Sequence, residues 1–204
     1  MGNEDVNGRR LLFVDIDGVL NSMAFMRARR LAKRDDLSER ERRCFENPCE
    51  PHLSALNEIE RLVPGLELIV SSTWRSEMTY TGWSRFFATL GIEAPVTGKT
   101  PILQTERGGE IAAYLIEEYA HELKRTFDGK SVDPIAGFAV IDDDFDPAFE
   151  WIAEHWVLIP NEDGLTGSSV KGVVETLMKK IKWPVRPRSR HDIPLPRGVP
   201  GRSI

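Results

Sequence analysis

Cysteine is scarce in this chain: only Cys44 and Cys49 occur. That excludes a disulfide framework. With His52 close behind them a zinc site would still lack an evident fourth ligand, so two free thiols in a reducing compartment are expected. No apolar run approaches the length of a bilayer span. The polar start, Met1 to Arg10, lacks the apolar centre of a signal peptide. A myristoyl anchor is not encoded either, because Val6 stands where that motif wants Ser or Thr after Gly2. Excess positive charge is missing as well. At a formal net charge of -5, any contact with a polyanion must come from a local patch rather than the whole field. No internal repeat is visible, and nothing in the pattern specifies an oligomer. The expectation is a soluble cytoplasmic protein with no membrane contact.

What is present suits one globular domain with an ample core: 204 residues, 41% hydrophobic and 29% charged. Composition changes after Trp183, where prolines alternate with Arg186, Arg188, Arg190, Arg197 and Arg202 and no periodic apolar face survives. Residues 1–183 are therefore expected to form the domain and 184–204 an extended or disordered tail.

The domain is organised around Leu11 to Asn21, an apolar run ending in Asp15-Ile-Asp17-Gly18. Four apolar residues in a row suit a strand buried on both faces, so Asp15 and Asp17 would leave its carboxyl end. Open α/β sheets put their chemistry there. A second apolar strand, Phe138 to Ile141, ends in Asp142, Asp143 and Asp144. Such a cluster is costly unless a cation or hydrogen-bond donors relieve the repulsion. Two carboxylate groups facing one crevice would make a hard-cation site, and magnesium suits it because that ion takes one or two carboxylates plus substrate phosphate.

Between these strands, Ser22 to Asn47 is a polar excursion with Arg27, Arg29, Arg30, Lys33 and Arg34, read as a short basic helical flap over 22–50. Its charges suit either a solvated helix face or a phosphate-attracting patch. Pro51 opens a helix with Leu53, Leu56, Ile59 and Leu62 on one face, and Pro64-Gly65 stops it. Leu66 to Val70 reads as a strand ending in Ser71, Ser72, Thr73, Trp74 and Arg75. Its hydroxyls suit ordinary helix capping or anion binding. A helix over Trp83 to Leu90 and a strand over Ile92 to Val96 follow. Thr97-Gly-Lys99-Thr-Pro is expected to be a turn; the spaced first glycine of a phosphate-binding P-loop is absent, which removes the nucleotide-triphosphatase reading. Arg107 precedes Gly108-Gly109 and a helix carrying Ile111, Leu115, Ile116 and Tyr119, so it stands at a helix amino terminus that favours anions. A strand over Trp156 to Ile159 and a helix over Val170 to Ile181 close the domain.

In order, these motifs resemble those of the haloacid dehalogenase (HAD) superfamily of phosphotransferases over roughly residues 9–182. More narrowly, Ser-Ser-Thr-Trp-Arg, Arg107 followed by Gly-Gly-Glu-Ile, and the late Gly164-Leu-Thr resemble the HAD domains associated with Swiss-army-knife RNA repair proteins. The resemblance implies a Rossmann-like three-layer α/β sandwich with a mostly parallel central sheet and little or no cap. It implies that Asp15 is a nucleophile forming an aspartyl-phosphate and that Asp17 is the general acid and base. Ser72, or Ser71, would hydrogen-bond the phosphoryl group, with Thr73, Arg75 and Gly18 lining the same site. Arg107 would stabilise its charge, with Lys99 as the alternative. Mg2+ would be held by Asp15, Asp142 and Asp143 with the Asp17 backbone carbonyl. An acidic residue at Asp17 favours hydrolysis over storage of the phosphoenzyme.

The implied activity is a magnesium-dependent phosphomonoesterase. Neither insertion slot of the superfamily is long enough here for a sizeable cap, and an open site fits a phosphate on an RNA or DNA end, or on a nucleotide. The alternatives are a phosphatase for a small phosphometabolite and a non-catalytic module that binds phosphate or nucleic acid.

Overall fold

The structure, a computed structural model, describes residues 8–31, 50–127 and 135–183. Its elements in chain order are β1 (Arg9–Val14), α1 (Met23–Leu31), α2 (Glu50–Leu62), β2 (Leu66–Val70), a 3-10 turn (Thr73–Ser76), α3 (Tyr80–Thr89), β3 (Val96–Lys99), α4 (Arg107–Phe127), β4 (Ile135–Asp142), α5 (Glu150–Ala153), β5 (Trp156–Leu158) and α6 (Gly167–Leu177). All five strands run parallel in the order β3-β2-β1-β4-β5. Helices cover both faces, which gives the expected three-layer sandwich.

Strand periodicity of two explains the layers. Leu12 and Val14 of β1 join Leu68, Val70, Ala139 and Ile141 in one core, sealed by side chains of α2, α3 and α6 such as Leu56, Phe87 and Val173. Leu11 and Phe13 face the other way, with Ile69, Phe138 and Val140 under Ile111 and Leu115 of α4. Each fully buried side chain of this size contributes about 1.5–3 kcal/mol. The central strand is thus sequestered on both sides, as its unbroken apolar run requires.

The order β3-β2-β1-β4-β5 also fixes where the site lies. The chain leaves β1 toward β2 and β3, then returns to the far side of β1 as β4. The switch point therefore falls between the carboxyl ends of β1 and β4, where the two aspartate groups emerge.

Several boundaries differ from the sequence expectation. The third strand is Val96–Lys99, not Ile92 to Val96: Pro95 cannot donate to a ladder, and its carbonyl instead accepts from Leu68 N at 2.9 Å. The expected turn at Thr97 to Pro101 is therefore mostly strand. Gly98 is required in it, since a β-carbon there would lie 2.2 Å from Tyr114 Oη of α4. Helix α4 begins at Arg107, so Gly108-Gly109 lie in its first turn. Leu62, placed on the apolar face of α2 by spacing, is 51% exposed at the helix end. The last helix begins three residues earlier than expected and ends at Leu177.

Of the flap, Ser22, α1 and Glu50 are described; Cys44, Cys49 and the tail over 184–204 lie outside the described residues. Arg27 makes an exposed pair with Glu162 at 2.8 Å, so this member of the basic group already has an acidic partner. His52 is buried in α2 with Nδ1 2.6 Å from the Leu165 carbonyl, and burial lowers its pKa. That contact is structural.

Candidate active site

Backbone pairing sets the first carboxylate. The amide of Asp15 donates to Ile141 O at 3.1 Å, and Ser71 N donates to Val14 O at 2.9 Å. These bonds continue the ladder one residue past β1 and β2. They draw the ends of β1, β2 and β4 together and bring Asp15 beside Ser72 and Asp142.

Among the described residues, Asp15, Asp142 and Asp143 form one group whose carboxylate oxygens lie within 4.8 Å of one another. Asp15 and Asp142 are buried and Asp143 is half-buried. Arg107, at the start of α4, reaches between the first two: Nη1 is 3.5 Å from Asp15 Oδ1 and 3.2 Å from Asp142 Oδ2. Asp142 Oδ1 accepts from Asp144 N at 3.0 Å. Its Oδ2 and Arg107 Nη1 are both buried without an aligned hydrogen bond. Charge contact is present, but the directional capacity of both atoms is unspent.

Electrostatics follow from this crowding. Burial pushes the Asp15 carboxyl up to about 6, against the pull of Arg107 and of the nearby Ser72 hydroxyl. Asp142 is pushed up to about 7, first by burial and then by the charge of Asp15. Asp143 is raised too, mainly by burial. A hard divalent cation is the natural relief for such a group, because its ligands are oxygen anions with a free buried lone pair on Asp142 Oδ2. The donor set therefore fits a metal of that class.

Gly18 makes the arrangement possible. Its φ of +78° is the left-handed conformation, and a β-carbon there would fall 2.3 Å from Asp143 Cγ. The turn after Asp17 can pack against Asp143 only with glycine at that position.

Asp17 does not join the carboxylate group. Its Oδ2 accepts from the indole Nε1 of Trp74 at 2.7 Å, and Asn21 Nδ2 stands 3.5 Å from Oδ1. Ser72 is fully buried at the start of the 3-10 turn, where its Oγ accepts from Trp74 N at 3.4 Å. This hydroxyl caps the turn, the ordinary role expected of a serine there. Ser71 is also buried, but its Oγ has no hydrogen-bond partner among the described residues. Thr73 is exposed on the wall of the adjoining cavity.

Arg75 and Lys99 are engaged elsewhere. The Arg75 guanidinium forms a buried ion pair with Glu110 and donates to Ser72 O at 2.7 Å, while still lining the cavity. Lys99 Nζ donates to the carbonyls of Arg75 and Met78 at 2.8 and 2.9 Å. It braces the turn after β2, which leaves Arg107, among the described residues, as the cation at the carboxylates. The amino terminus of α4 already has its anion: Asp146 Oδ2 accepts from Arg107 N at 2.9 Å, and its backbone carbonyl accepts from Gly108 N at 2.8 Å.

Sequence reasoning missed Trp74, Glu110, Asp146 and Phe145. A glutamate one residue before the buried Ile111 was a usable sign for Glu110. Trp74 sits in a single 3-10 turn and the other two in a loop, where no periodicity marks a partner. A cavity of about 530 Å³ opens beside the carboxylates, lined by Thr73, Arg75, Thr105, Arg107, Asp142 and Phe145 among others.

The family described as HAD domain in Swiss Army Knife RNA repair proteins matches residues 11–170, from β1 into α6. No curated protein and no solved structure matches the chain.

Proposed function

The chain belongs to the family of HAD domains in Swiss Army Knife RNA repair proteins, and from that membership we propose a magnesium-dependent phosphomonoesterase acting on terminal phosphates of nucleic acid or on nucleotides. The family supports a phosphatase-type hydrolase in general. The observation that carries the finer reading is Asp15 itself: a buried carboxylate at a strand end, facing Arg107 and within 4.8 Å of two further aspartates.

In this reading Asp15 attacks phosphorus and forms an aspartyl-phosphate as the ester oxygen departs. Asp17 protonates that oxygen, and in the second step removes a proton from the water that releases phosphate. Arg107 and Ser72 stabilise charge on the transferring group. Asp15, Asp142 and Asp143 would hold magnesium, which supplies the positive charge that lets phosphate approach the carboxylates.

Three features support a phosphate at an open end. The connection from β3 to α4, residues 100–106, is too short to carry a cap. Phe145 stands 58% exposed on the cavity wall, suited to stack a nucleobase. Asp144 and Asp146 on the same wall repel a long phosphate backbone and so favour a terminus or a mononucleotide over an internal segment.

The test is phosphate release by the purified full chain with magnesium, on 3'- and 5'-phosphorylated oligonucleotides, mononucleotides and sugar phosphates. Release from the first three, abolished in Asp15→Asn, is expected. Preference for sugar phosphates would move the substrate to small metabolites. No release from any of them, by wild type and variant alike, would overturn the reading.

A further inference from the structure

We propose that Trp74 is a positioning residue that holds Asp17 in register with Asp15; the inference rests on the phosphomonoesterase reading and adds to it a residue to which that reading assigns no role. Asp15 and Asp17 lie two residues apart on a turn, and no hydrogen bond between the two fixes their relation. The 3-10 turn Thr73–Ser76 supplies it from across the crevice. Trp74 Nε1 donates to Asp17 Oδ2 at 2.7 Å. The backbone amide of the same residue donates to Ser72 Oγ at 3.4 Å, which uses that hydroxyl as an acceptor and leaves its proton free to donate. One residue therefore touches Asp17 with its side chain and Ser72 with its backbone.

An indole N–H can only donate. Asp17 Oδ2 is thus kept as an acceptor, and the proton that Asp17 exchanges with substrate travels on Oδ1. Asn21 at 3.5 Å from Oδ1 is too distant to hold that oxygen firmly.

The turn is well braced for such a role. Arg75 N and Glu77 N close it on Ser72 O and Trp74 O at 3.0 and 2.9 Å. Lys99 Nζ bonds the Arg75 and Met78 carbonyls, the Arg75–Glu110 pair ties it to α4, and the indole packs on the core beneath α3.

The step it serves balances as follows. An Asp15 oxygen forms a bond to phosphorus, the ester P–O bond breaks, and the proton on Asp17 Oδ1 passes to the departing oxygen. Water then gives a proton back to Asp17 as its oxygen bonds phosphorus and the Asp15–phosphorus linkage breaks. An alkoxide leaving group needs that first proton far more than p-nitrophenoxide does.

Trp74→Phe removes the N–H and keeps most of the packing. Its kcat/KM is expected to fall about 10–100-fold for an alkyl phosphate and less than about threefold for p-nitrophenyl phosphate, with partial recovery in Trp74→His, which keeps a ring N–H. Equal losses on both esters, or no loss on either, overturn the proposal. A spectroscopic readout independent of turnover accompanies it: the indole N–H resonance of Trp74, identified by its disappearance in Trp74→Phe, is expected to shift in Asp17→Ala. An unmoved resonance overturns the proposal even where Trp74→Phe is active. A wild type inert on both esters with a shifted resonance sinks the phosphatase reading while upholding the hold of Trp74 on Asp17.

Discussion

Gly18→Ala perturbs the site at its tightest contact, and Gly91→Ala provides the matching control. Both glycines have left-handed backbones, φ +78° and +76°, so alanine at either position costs about 1–2 kcal/mol in conformation. For a domain of this size that lowers Tm by roughly 2–8 °C. The surroundings differ. A β-carbon at Gly91 meets nothing within 4 Å, whereas at Gly18 it lies 2.3 Å from both Cγ and Oδ2 of Asp143. Ordinary contact requires about 3.5 Å, so the Asp143 carboxylate must retreat by about 1 Å. Displacing one of three metal-facing carboxylates on that scale should weaken Mg2+ or Mn2+ binding about 10–100-fold. Thermal melts and titration calorimetry on the two variants separate these effects. The expected pattern is a similar loss of Tm in both and a loss of metal affinity in Gly18→Ala alone. Equal metal affinity in Gly18→Ala and wild type would refute the link between this turn and the carboxylate group.

Metal binding should also release protons. With Asp15 raised to about 6 and Asp142 to about 7, both are largely ionised above pH 8 and increasingly protonated below 7. Affinity should therefore fall as pH drops from 8 to 5.5, and calorimetry at pH 6.5 in buffers of different ionisation enthalpy should detect released protons; affinity flat over that range would contradict these shifts. Breaking the buried Arg75–Glu110 pair with Arg75→Met should cost about 3–5 kcal/mol by leaving Glu110 uncompensated, read by chemical denaturation, and Arg75→Met with Glu110→Leu together should cost less than Arg75→Met alone. Phe145→Ala should raise KM for a mononucleotide about tenfold, from the loss of one stacked base, and leave KM for a sugar phosphate unchanged.

The parts of the fold legible in the sequence are those set by burial on both faces. β1, β2 and β4 are continuous apolar runs that only a covered parallel strand accommodates, and their ends mark the aspartates and Ser72 without further help. β3 was misread because it is an edge strand of four residues in which packing against Tyr114 outweighs the turn propensity of Gly98. Arg107 was readable from its place before a helix; that Asp146 rather than a ligand caps that helix was not, since the cap comes from a loop 39 positions away. Arg75 and Lys99 look like anion ligands in one dimension because sequence does not record that Glu110 and two carbonyls already engage them. Trp74 was visible as a residue type, but its bond to Asp17 spans 57 positions and depends on the crossover that brings β2 beside β1.

The account stands or falls on Asp15 as the nucleophile. A single-turnover reaction with a radiolabelled phosphomonoester and magnesium, acid-quenched and mapped by peptide, measures this directly. The predicted result is an acid-stable, base-labile label on the peptide containing Asp15, absent in Asp15→Asn. Phosphate release by the wild type with no label on that peptide, or undiminished release by Asp15→Asn, would contradict it.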